Sequence, residues 1–281
     1  MIKSEKEQNN SVEVIMSCMH QDGFDIAYRT KINSDVLIVN QCDKDDYAEI
    51  TVNGHLWRMI YTTERGSGKS RNMAIKNAKG DILLFCDDDE ELTDNYSDIV
   101  LNAFEREPKA CGIVFNVERI NLDEKQKYYR ITKYRKAPSY RGYGWPMVAI
   151  KRLPVIESGI AADERFGSGS IWSCGEDSLF EIDMIKKKLW IYENPATIAS
   201  IDYSGGSQWF FGMNEKFFYD KGAFIERVYR SSISKLLRIY YRAFRTRGDK
   251  TLSFSEKVKW IKNGMKGYRK NLSYKEFAEN K

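Results

Sequence analysis

The sequence predicts an α/β fold: a Rossmann-like, mixed but mostly parallel sheet with helices on both faces, followed by a C-terminal helical extension. Short apolar, β-branched runs alternate with helical patterns between residues 12 and 118, which is typical of such sheets. The dipeptide Asn53-Gly54, a strong hairpin-turn pattern, separates two of the runs. Three aspartates, Asp87–Asp89, directly follow another run. Because ligands of parallel α/β sheets bind where strands end, this third observation also points to a functional site.

The individual elements follow from the positions of these patterns. Apolar and β-branched runs predict strands over Val12–Met19, Asp35–Asn40, Ala48–Val52, His55–Tyr61, Asp81–Cys86 and Cys111–Glu118. Helical patterns predict helices over Phe24–Ile32, Arg71–Lys79 and Asp94–Glu107. Ser70 is the expected N-cap of the second helix and Gly80 its stop, and Pro108 ends the third.

The pattern is less regular beyond residue 118. Residues 119–146 are rich in Tyr, Lys and Arg, and they predict an irregular excursion. A helix is predicted over Leu179–Lys188, after a Gly-rich stretch. Residues 189–201 predict two short strands on either side of Asn194-Pro195, because proline interrupts a strand.

Composition limits the class of protein. Hydrophobic residues make up 42% of the chain, enough for a core, and no run approaches the 18 apolar residues typical of a membrane span. The N-terminal residues lack the apolar centre of a signal peptide. The five cysteines are scattered without a CxxC motif, which argues against a disulfide framework or a zinc site. We therefore expect a cytoplasmic protein, with the inner face of the membrane as an alternative location.

Charge is concentrated near the C-terminal end. Residues 221–281 hold 17 Lys and Arg but only 5 Asp and Glu, so their net charge is +12 and that of the remainder is −7. Apolar residues recur at helical spacing from Ile225 to Phe244, with basic residues mostly on other faces. This amphipathic pattern favours either peripheral association of residues 223–281 with an anionic membrane or packing on the rest of the protein with a solvated basic face. No recognised motif predicts nucleic-acid binding.

The aspartate triplet is the first chemical feature. Adjacent carboxylates repel one another and raise one another's pKa values, and a divalent cation relieves this repulsion. Carboxylate oxygens suit Mg²⁺ or Mn²⁺, which such sites share with the phosphates of a substrate. The alternative is a solvated acidic loop that precedes the next helix.

A cationic, Gly-rich loop precedes the triplet. Residues 64–72 read ERGSGKSRN and lead into a helix, an arrangement suited to binding a diphosphate, and Arg71 is its cation nearest the helix. The segment contains GSGKS, but a P-loop needs glycine at position 63, where Thr63 stands. The loop is therefore not a P-loop.

Two strings resemble the family-2 glycosyltransferases of the GT-A fold. The first is residues 66–96, GSGKSRNMAIKNAKGDILLFCDDDEELTDNY. The second is Phe166-Gly167 followed by Gly175–Phe180, which resembles the family's FG…GEDxxF element. Residues 206–210 and 215–222 resemble a tail of bacterial polysaccharide transferases. The resemblance implies a GT-A domain over residues 1–222, with a nucleotide-binding half at about 11–118, an acceptor half at about 119–222 and a basic helical region at 223–281.

The resemblance implies inverting transfer of a sugar, of hexosyltransferase type, from a nucleotide sugar to a hydroxyl of a glycan or lipid-linked acceptor. A UDP-sugar is the favoured donor. In this family pattern Asp89 binds Mn²⁺ or Mg²⁺. Asp87 holds the donor, at its ribose, and contributes to the metal site, and Asp88 is a further donor contact. Arg71 neutralises phosphate or contacts the base.

The second string supplies the catalytic pair of this resemblance. Asp177 is the general base that takes the proton of the acceptor hydroxyl, and Glu176 orients it. The alternative interpretation of Glu176-Asp177 is structural, since acidic residues are favoured in the first turn of a helix.

The chain departs from the family pattern at two places. Many relatives carry an acidic pair after the second strand; here the positions are Asn40 and Gln41, with Asp43 further on, and these are the candidates for binding the base. Many relatives also use a histidine as a metal ligand, but the two histidines of this chain, His20 and His55, lie elsewhere. Asp202 is the candidate substitute, and the alternative is an ordinary strand-end carboxylate.

Two other functions remain open at this point. A nucleotidyltransferase shares a carboxylate site at strand ends and releases pyrophosphate. A non-catalytic module binds a sugar nucleotide without transferring the sugar.

Overall fold

The computed structural model describes residues 10–122, 128–138, 142–204 and 212–279. The chain divides into two compact units. Unit 1 is drawn from Met1–Arg65, Lys69–Ala162 and Phe180–Gly205, and unit 2 from Gly66–Gly68, Asp163–Leu179 and Gly206–Lys281. The division of the chain at residue 222 stays a prediction.

Unit 1 is built on a mixed sheet that has ten strands among the described residues. They are β1 (Val12–Met19), β2 (Asp35–Gln41), β3 (Asp46–Val52), β4 (His55–Thr62), β5 (Ile82–Asp87), β6 (Glu90–Leu92), β7 (Gly112–Ile120), β8 (Arg135–Lys136), β9 (Val148–Lys151) and β10 (Ile191–Asp202). Their order is β3-β4-β2-β1-β5-β9-β7-β10-β6, with β8 paired to β10. Strands β1, β2, β4, β5, β7 and β10 run in one direction, so their carboxyl ends share one edge.

Helices cover both faces of this sheet. The helices of the described chain are α1 (Asp25–Arg29), α2 (Ser67–Asn77), α3 (Tyr96–Arg106), α4 (Arg152–Glu157), α5 (Glu176–Lys186), α6 (Glu215–Val228), α7 (Ser232–Arg245), α8 (Phe254–Lys270) and α9 (Tyr274–Glu279), and a 3₁₀ turn spans Trp145–Met147. Side chains alternate along the central strands: Val14 and Met16 of β1 pack in the cluster that includes α1 and α3, and Ile15 packs in the cluster that includes α2, α4 and α5. The predicted α/β fold is confirmed.

Some predicted boundaries were wrong. Helix α2 begins at Ser67, so Ser70 lies inside it and is not the N-cap. The backbone N–H of Ser67 donates to the carbonyl of Ser168, which fixes this early start. Gly80 follows the helix end at Asn77, and it is required by a close contact, because a Cβ there would lie 2.5 Å from Cβ of Glu13.

Two further corrections concern the second half of the chain. Helix α5 begins at Glu176, three residues before the predicted start. Residues 191–202 form one strand, not two. The pairing of this strand with β7 shifts register between Glu193 and Thr197, and the strand continues through this irregularity. Proline is compatible with a strand at such an irregularity, and Asn194-Pro195 falls within it.

Unit 2 contains the C-terminal helices. Helices α6 and α8 approach so closely that a Cβ on Gly222 would lie 2.0 Å from the carbonyl oxygen of Ile261, and a Cβ on Gly264 would lie 1.8 Å from that of Tyr219. The single basic helix expected from Ile225 to Phe244 is instead two helices, α6 and α7. The break has a local cause: the side chain of Ser231 caps α7 by accepting from the N–H of Ser234 at 3.1 Å.

Candidate active site

The aspartate triplet lies at the carboxyl end of β5, in a tight turn that leads into β6. Glu90 holds this turn: its carboxylate Oε2 accepts from the backbone N–H of Asp87 at 2.8 Å. The side chain is buried, and burial, followed by the charge of Asp87, raises the pKa of Glu90 well above its usual range. Sequence reasoning missed Glu90, although it is the next acidic residue after the triplet.

The two turn aspartates are crowded carboxyls. Partial burial, followed by the negative charge of Asp87, raises the pKa of Asp88. Partial burial and then the charges of Asp87 and Asp88 raise the pKa of Asp89. The turn therefore concentrates negative charge in a place where a cation would be stabilised.

Arg71 lies beside the triplet, as the sequence suggested. It sits on α2, is largely buried, and forms an ion pair with Asp87. Its guanidinium carbon is 5.1 Å from the ring centroid of Trp145, a residue that sequence reasoning missed. Among the described residues, the buried Nε of Arg71 has no hydrogen-bond partner. A buried cation with unused donor capacity is thus held next to the acidic turn.

The candidate base-binding residues lie at the same edge of the sheet, after β2. The side chain of Asn40 bonds the backbone of Gln21 twice, donating to its carbonyl at 2.6 Å and accepting from its N–H at 3.1 Å. The buried side chain of Gln41 donates to Oγ of Ser17 at 3.4 Å. In this structure Asn40 therefore braces the segment that follows β1.

Asp43 lines a surface cavity at the carboxyl ends of β1, β2 and β4. The cavity is lined by His20, Gln21, Asp22, Cys42, Asp43, Lys44 and Tyr61. Arg65 anchors the cavity wall, since it donates to Oδ1 of Asp43 at 2.9 Å and to the carbonyl of Cys42 at 2.9 Å. Lys44 lies over the ring of Tyr61, with its ammonium 4.1 Å from the ring centroid. The cavity offers an aromatic ring, a carboxylate and backbone groups.

Asp202 lies at the end of β10, on this same edge. Strand β10 pairs antiparallel with β6, and this pairing ends with Ile201 opposite Glu90. The exposed carboxylate of Asp202 accepts from Asn121 Nδ2 at 3.0 Å and from the N–H of Ser204 at 2.8 Å. These hydrogen bonds, that of Asn121 first, lower its pKa. Asp202 therefore follows the end of the strand pair that begins just after the acidic turn, and its role as a metal ligand stays a prediction.

The carboxylates at this edge of the sheet could hold a metal only together with ligands from outside the protein. Within the described ranges, no group of three or more His, Cys, Asp or Glu side chains is arranged to hold an ion. Mg²⁺, however, is usually held by one or two carboxylates together with substrate phosphates and water. The oxygen ligands of the acidic turn fit an ion that is shared with a diphosphate.

Asp177 lies in unit 2, in the first turn of α5. Burial, followed by the charge of Glu176, raises its pKa to about 6. Its Oδ1 accepts from the backbone N–H of Ser178 at 2.6 Å. Gly175, just before the helix, has a φ of +110°, and a Cβ there would lie 2.8 Å from the ring of Phe224. The glycine of the GED string is therefore required by the backbone.

Glu176 is held by a second glycine element of unit 2. Its Oε1 accepts from Oγ of Ser67 at 2.9 Å. Gly167 has a φ of +103°, and a Cβ on it would lie 2.2 Å from that hydroxyl oxygen and 2.7 Å from Cδ of Glu176. A bridge between Phe166 and Trp172 closes the loop that contains Gly167. The FG string thus positions Glu176, and Ser67 is a partner that sequence reasoning missed.

One of the last two matched strings lies at the start of α6. Residues 215–222 form its first two turns, and residues 206–210 lie outside the described residues.

Comparison with known proteins identifies the family. The sequence model of Glycosyl transferase family 2 matches residues 6–153. A curated Haemophilus influenzae protein named "Uncharacterized glycosyltransferase" is 27% identical over 142 residues, which is 48% of this chain and 48% of that protein. The chain thus spans about half the length of the curated relative it matches.

Solved structures show the same fold. Staphylococcus aureus TarS 1–349 in complex with UDP-GlcNAc matches with a TM-score of 0.59 and 13% identity, covering 94% of this chain and 93% of that one. The UDP complex of the same TarS fragment matches with a TM-score of 0.56 and 14% identity, with the same coverage. These likenesses confirm the GT-A fold. Because the family model matches more than half of the residues of this chain, the chain belongs to Glycosyl transferase family 2.

Proposed function

We propose that the protein is an inverting glycosyltransferase that moves a hexose-type sugar from a UDP-sugar to a hydroxyl of a glycan or lipid-linked acceptor. The observation that carries the proposal is the acidic turn Asp87–Asp89 at a carboxyl edge of the sheet, with Arg71 paired to Asp87. This turn offers carboxylates for a divalent cation and a buried guanidinium for phosphate. The UDP and UDP-GlcNAc complexes of TarS support uridine as the nucleoside.

The donor base is assigned to the cavity that contains Asp43 and Tyr61. Uracil has one N–H donor and two carbonyl acceptors, and an exposed carboxylate and backbone amides complement such a pattern. Asn40 acts indirectly, by holding the Gln21 backbone in the cavity wall. Gln41 lies at the end of the same strand and completes the predicted set.

The metal would be Mn²⁺ or Mg²⁺, and Asp89, Asp87 and Asp202 are the residues that would hold it. When bound, it would offset the negative charge that develops on the departing diphosphate. Asp88 adds a contact to the donor. Arg71 binds a phosphate oxygen through a guanidinium edge, because its Nε has no partner among the described residues.

Asp177 is the general base. A carboxyl with a pKa of about 6 is mostly ionised at neutral pH and still basic enough to accept a proton from a hydroxyl. As that proton moves to Asp177, the acceptor oxygen attacks the anomeric carbon and the bond to the diphosphate oxygen breaks. One displacement inverts the configuration. Glu176, fixed by Ser67, is a positioning residue whose charge raises the basicity of Asp177.

A ligand screen on the full-length protein tests donor binding. Thermal shifts are measured with UDP, GDP, ADP and CDP, each with and without Mn²⁺, since a ligand stabilises the folded state according to its concentration over Kd. We expect UDP with Mn²⁺ to give the largest shift, and Asp89→Ala to remove the Mn²⁺-dependent part. Glu105→Ala, at an exposed carboxylate near the C-terminal end of α3, is the matched control. A Mn²⁺-dependent shift that survives Asp89→Ala would contradict the metal assignment.

The product that is released distinguishes the proposed sugar transfer from the two alternative functions. Incubation with UDP-sugars and a panel of saccharide acceptors should release UDP. Release of pyrophosphate would indicate a nucleotidyltransferase, and UDP binding without turnover on any acceptor would favour a binding module.

A further inference from the structure

Helix α7 presents a wide apolar surface to solvent. Six of its apolar or aromatic side chains are between 45% and 74% exposed: Ile233, Leu236, Leu237, Tyr240, Tyr241 and Phe244. Only Ile239 and Ala243 of this helix are buried. Most of the apolar side chains of α7 therefore add little to the core of unit 2. We call the five residues other than Tyr241 the α7 face.

The α7 face is contiguous. At 100° per residue the five side chains fall within an arc of about 100° on the helix. Phe254, at the start of α8, is also exposed and stacks on Tyr240, with ring centroids 6.2 Å apart. Scattered exposed apolar residues are ordinary, but a contiguous patch of this kind marks an interaction surface.

The α7 face is bordered by arginines. Helix α7 contains four basic residues and no acidic one. Lys235 is paired with Glu226 at 2.7 Å, and burial lowers the pKa of Arg242. Tyr241 lies about 40° beyond one edge of the apolar arc, and Arg245 and Arg238 follow Tyr241 about 40° and 60° further round the helix. Exposed Arg230 and Arg247 lie near the two ends of the helix. The partner of this surface must therefore combine apolar contact with negative charge.

We propose that the α7 face docks on the surface of an anionic lipid bilayer. The five apolar side chains insert at the boundary between headgroups and acyl chains, and the bordering arginines lie at the lipid phosphates. Tyr240 and Tyr241 suit this depth, where aromatic rings with a polar end are favoured. A second copy of the chain is a poorer occupant, because a symmetric contact would bring two sets of arginines together.

The docking is peripheral. Across the described helices, none has both the length and the apolar character required to cross a bilayer. The sequence pattern suggested membrane contact over residues 223–281 as one of two alternatives. The present proposal assigns this contact to one face of one 14-residue helix. Such docking would place the enzyme where lipid-linked acceptors lie.

Vesicle binding of the full-length protein tests the proposal. Sedimentation is compared for vesicles of phosphatidylcholine alone and vesicles that also contain phosphatidylglycerol. We expect binding to the anionic vesicles only, weakened by salt, because the arginine contribution is screened. Leu237→Glu should lower the partition coefficient about tenfold or more, since it replaces an inserted apolar group by a charge. Arg238→Gln and Arg245→Gln should each lower it about fivefold.

Leu153→Glu is the matched control, because Leu153 on α4 is 50% exposed and lies outside the α7 face. It should leave vesicle binding unchanged. Leu237→Ala, which removes apolar area without adding charge, should still weaken binding if Leu237→Glu fails to fold. The proposal is overturned if the wild type does not sediment with anionic vesicles, or if Leu237→Glu and Leu153→Glu bind equally. A dimer that Leu237→Glu dissociates, without vesicle binding by the wild type, would identify a second copy as the occupant and equally overturn it.

Discussion

The acidic turn of unit 1 and the acidic pair of unit 2 use the same kind of residue in different ways. At Asp87–Asp89 the carboxylates follow a strand, and one of them is neutralised by Arg71. At Glu176-Asp177 they begin a helix, and Glu176 is held by a hydroxyl that brings no charge to offset its own. The pKa of Asp177 is accordingly raised to about 6, with Glu176 as its largest contribution after burial. The first arrangement is suited to binding cations and phosphate, and the second is suited to accepting a proton.

The largest expected effect comes from replacing Asp177, the proposed general base in the acidic pair of unit 2. Asp177→Asn should lower kcat by about 10²–10⁴-fold, the usual contribution of a general base, while donor binding stays within about twofold. The measurements are UDP release under saturating donor and UDP affinity by calorimetry. Asp183→Asn, at an acidic residue further along α5, is the control. If Asp177→Asn kept its turnover, another residue would have to be the base.

The second effect is the pH dependence of turnover. In the proposed mechanism the ionised form of Asp177 is the base, and the pKa of this carboxyl is raised to about 6. Its ionised fraction, and with it kcat/KM, should fall about tenfold per pH unit below that value and level off above it. The acidic limb should be absent from the residual activity of Asp177→Asn. A limb centred near the ordinary aspartate value would show that this carboxyl is not the titrating base.

The same shift makes a prediction about stability. Because the pKa of Asp177 is higher in the folded state than in the unfolded chain, its charge destabilises the fold above pH 6, and this penalty disappears as the pH falls towards 4. Asp177→Asn should therefore raise the free energy of unfolding by about 1–3 kcal/mol at pH 7.5 and by much less at pH 4. Denaturant unfolding at the two pH values measures this. An equal effect at both would contradict the shift.

The third effect comes from a substitution in the loop that positions Glu176. Gly167→Ala places a methyl against Ser67 and Glu176 at a φ of +103°, so it should cost about 1–3 kcal/mol of stability and reduce kcat about tenfold. Gly54→Ala, in the hairpin turn, is the control, because it has a positive φ but open space around its Cβ. It should cost stability without a matching loss of kcat. Equal kcat in both variants would show that the Gly167 loop does not position catalytic groups.

The two regions also differ in how far the sequence predicted them. The apolar run Asp81–Cys86 predicted β5 and the placement of the aspartates at its end, because a short continuous apolar run is a local property of the sequence. Glu176 and Asp177 were reached only through resemblance. Their partner Ser67 was missed, since Ser67 and Glu176 are 109 residues apart and the positive φ angles of Gly167 and Gly175 have no periodic pattern. Asp202 stays a prediction as the substitute for histidine, and the pairing of β10 with β6 puts it one residue beyond Ile201, which lies opposite Glu90. Trp145 was missed because it lies within the segment 119–146, where the sequence has no regular pattern.

The smallest expected effect concerns Glu90 and tests whether this residue fixes the geometry of the acidic turn. Glu90→Gln keeps an oxygen that accepts from the N–H of Asp87 and removes a buried acidic group, so stability should change by less than about 1 kcal/mol. Glu90→Ala leaves that N–H unpaired and should cost about 1–3 kcal/mol, with a severalfold weaker Mn²⁺-dependent affinity for UDP. Glu91→Ala removes only an exposed ion pair with Lys31 and serves as the neighbouring control. Identical donor affinities in Glu90→Ala and Glu91→Ala would show that the turn keeps its geometry without Glu90.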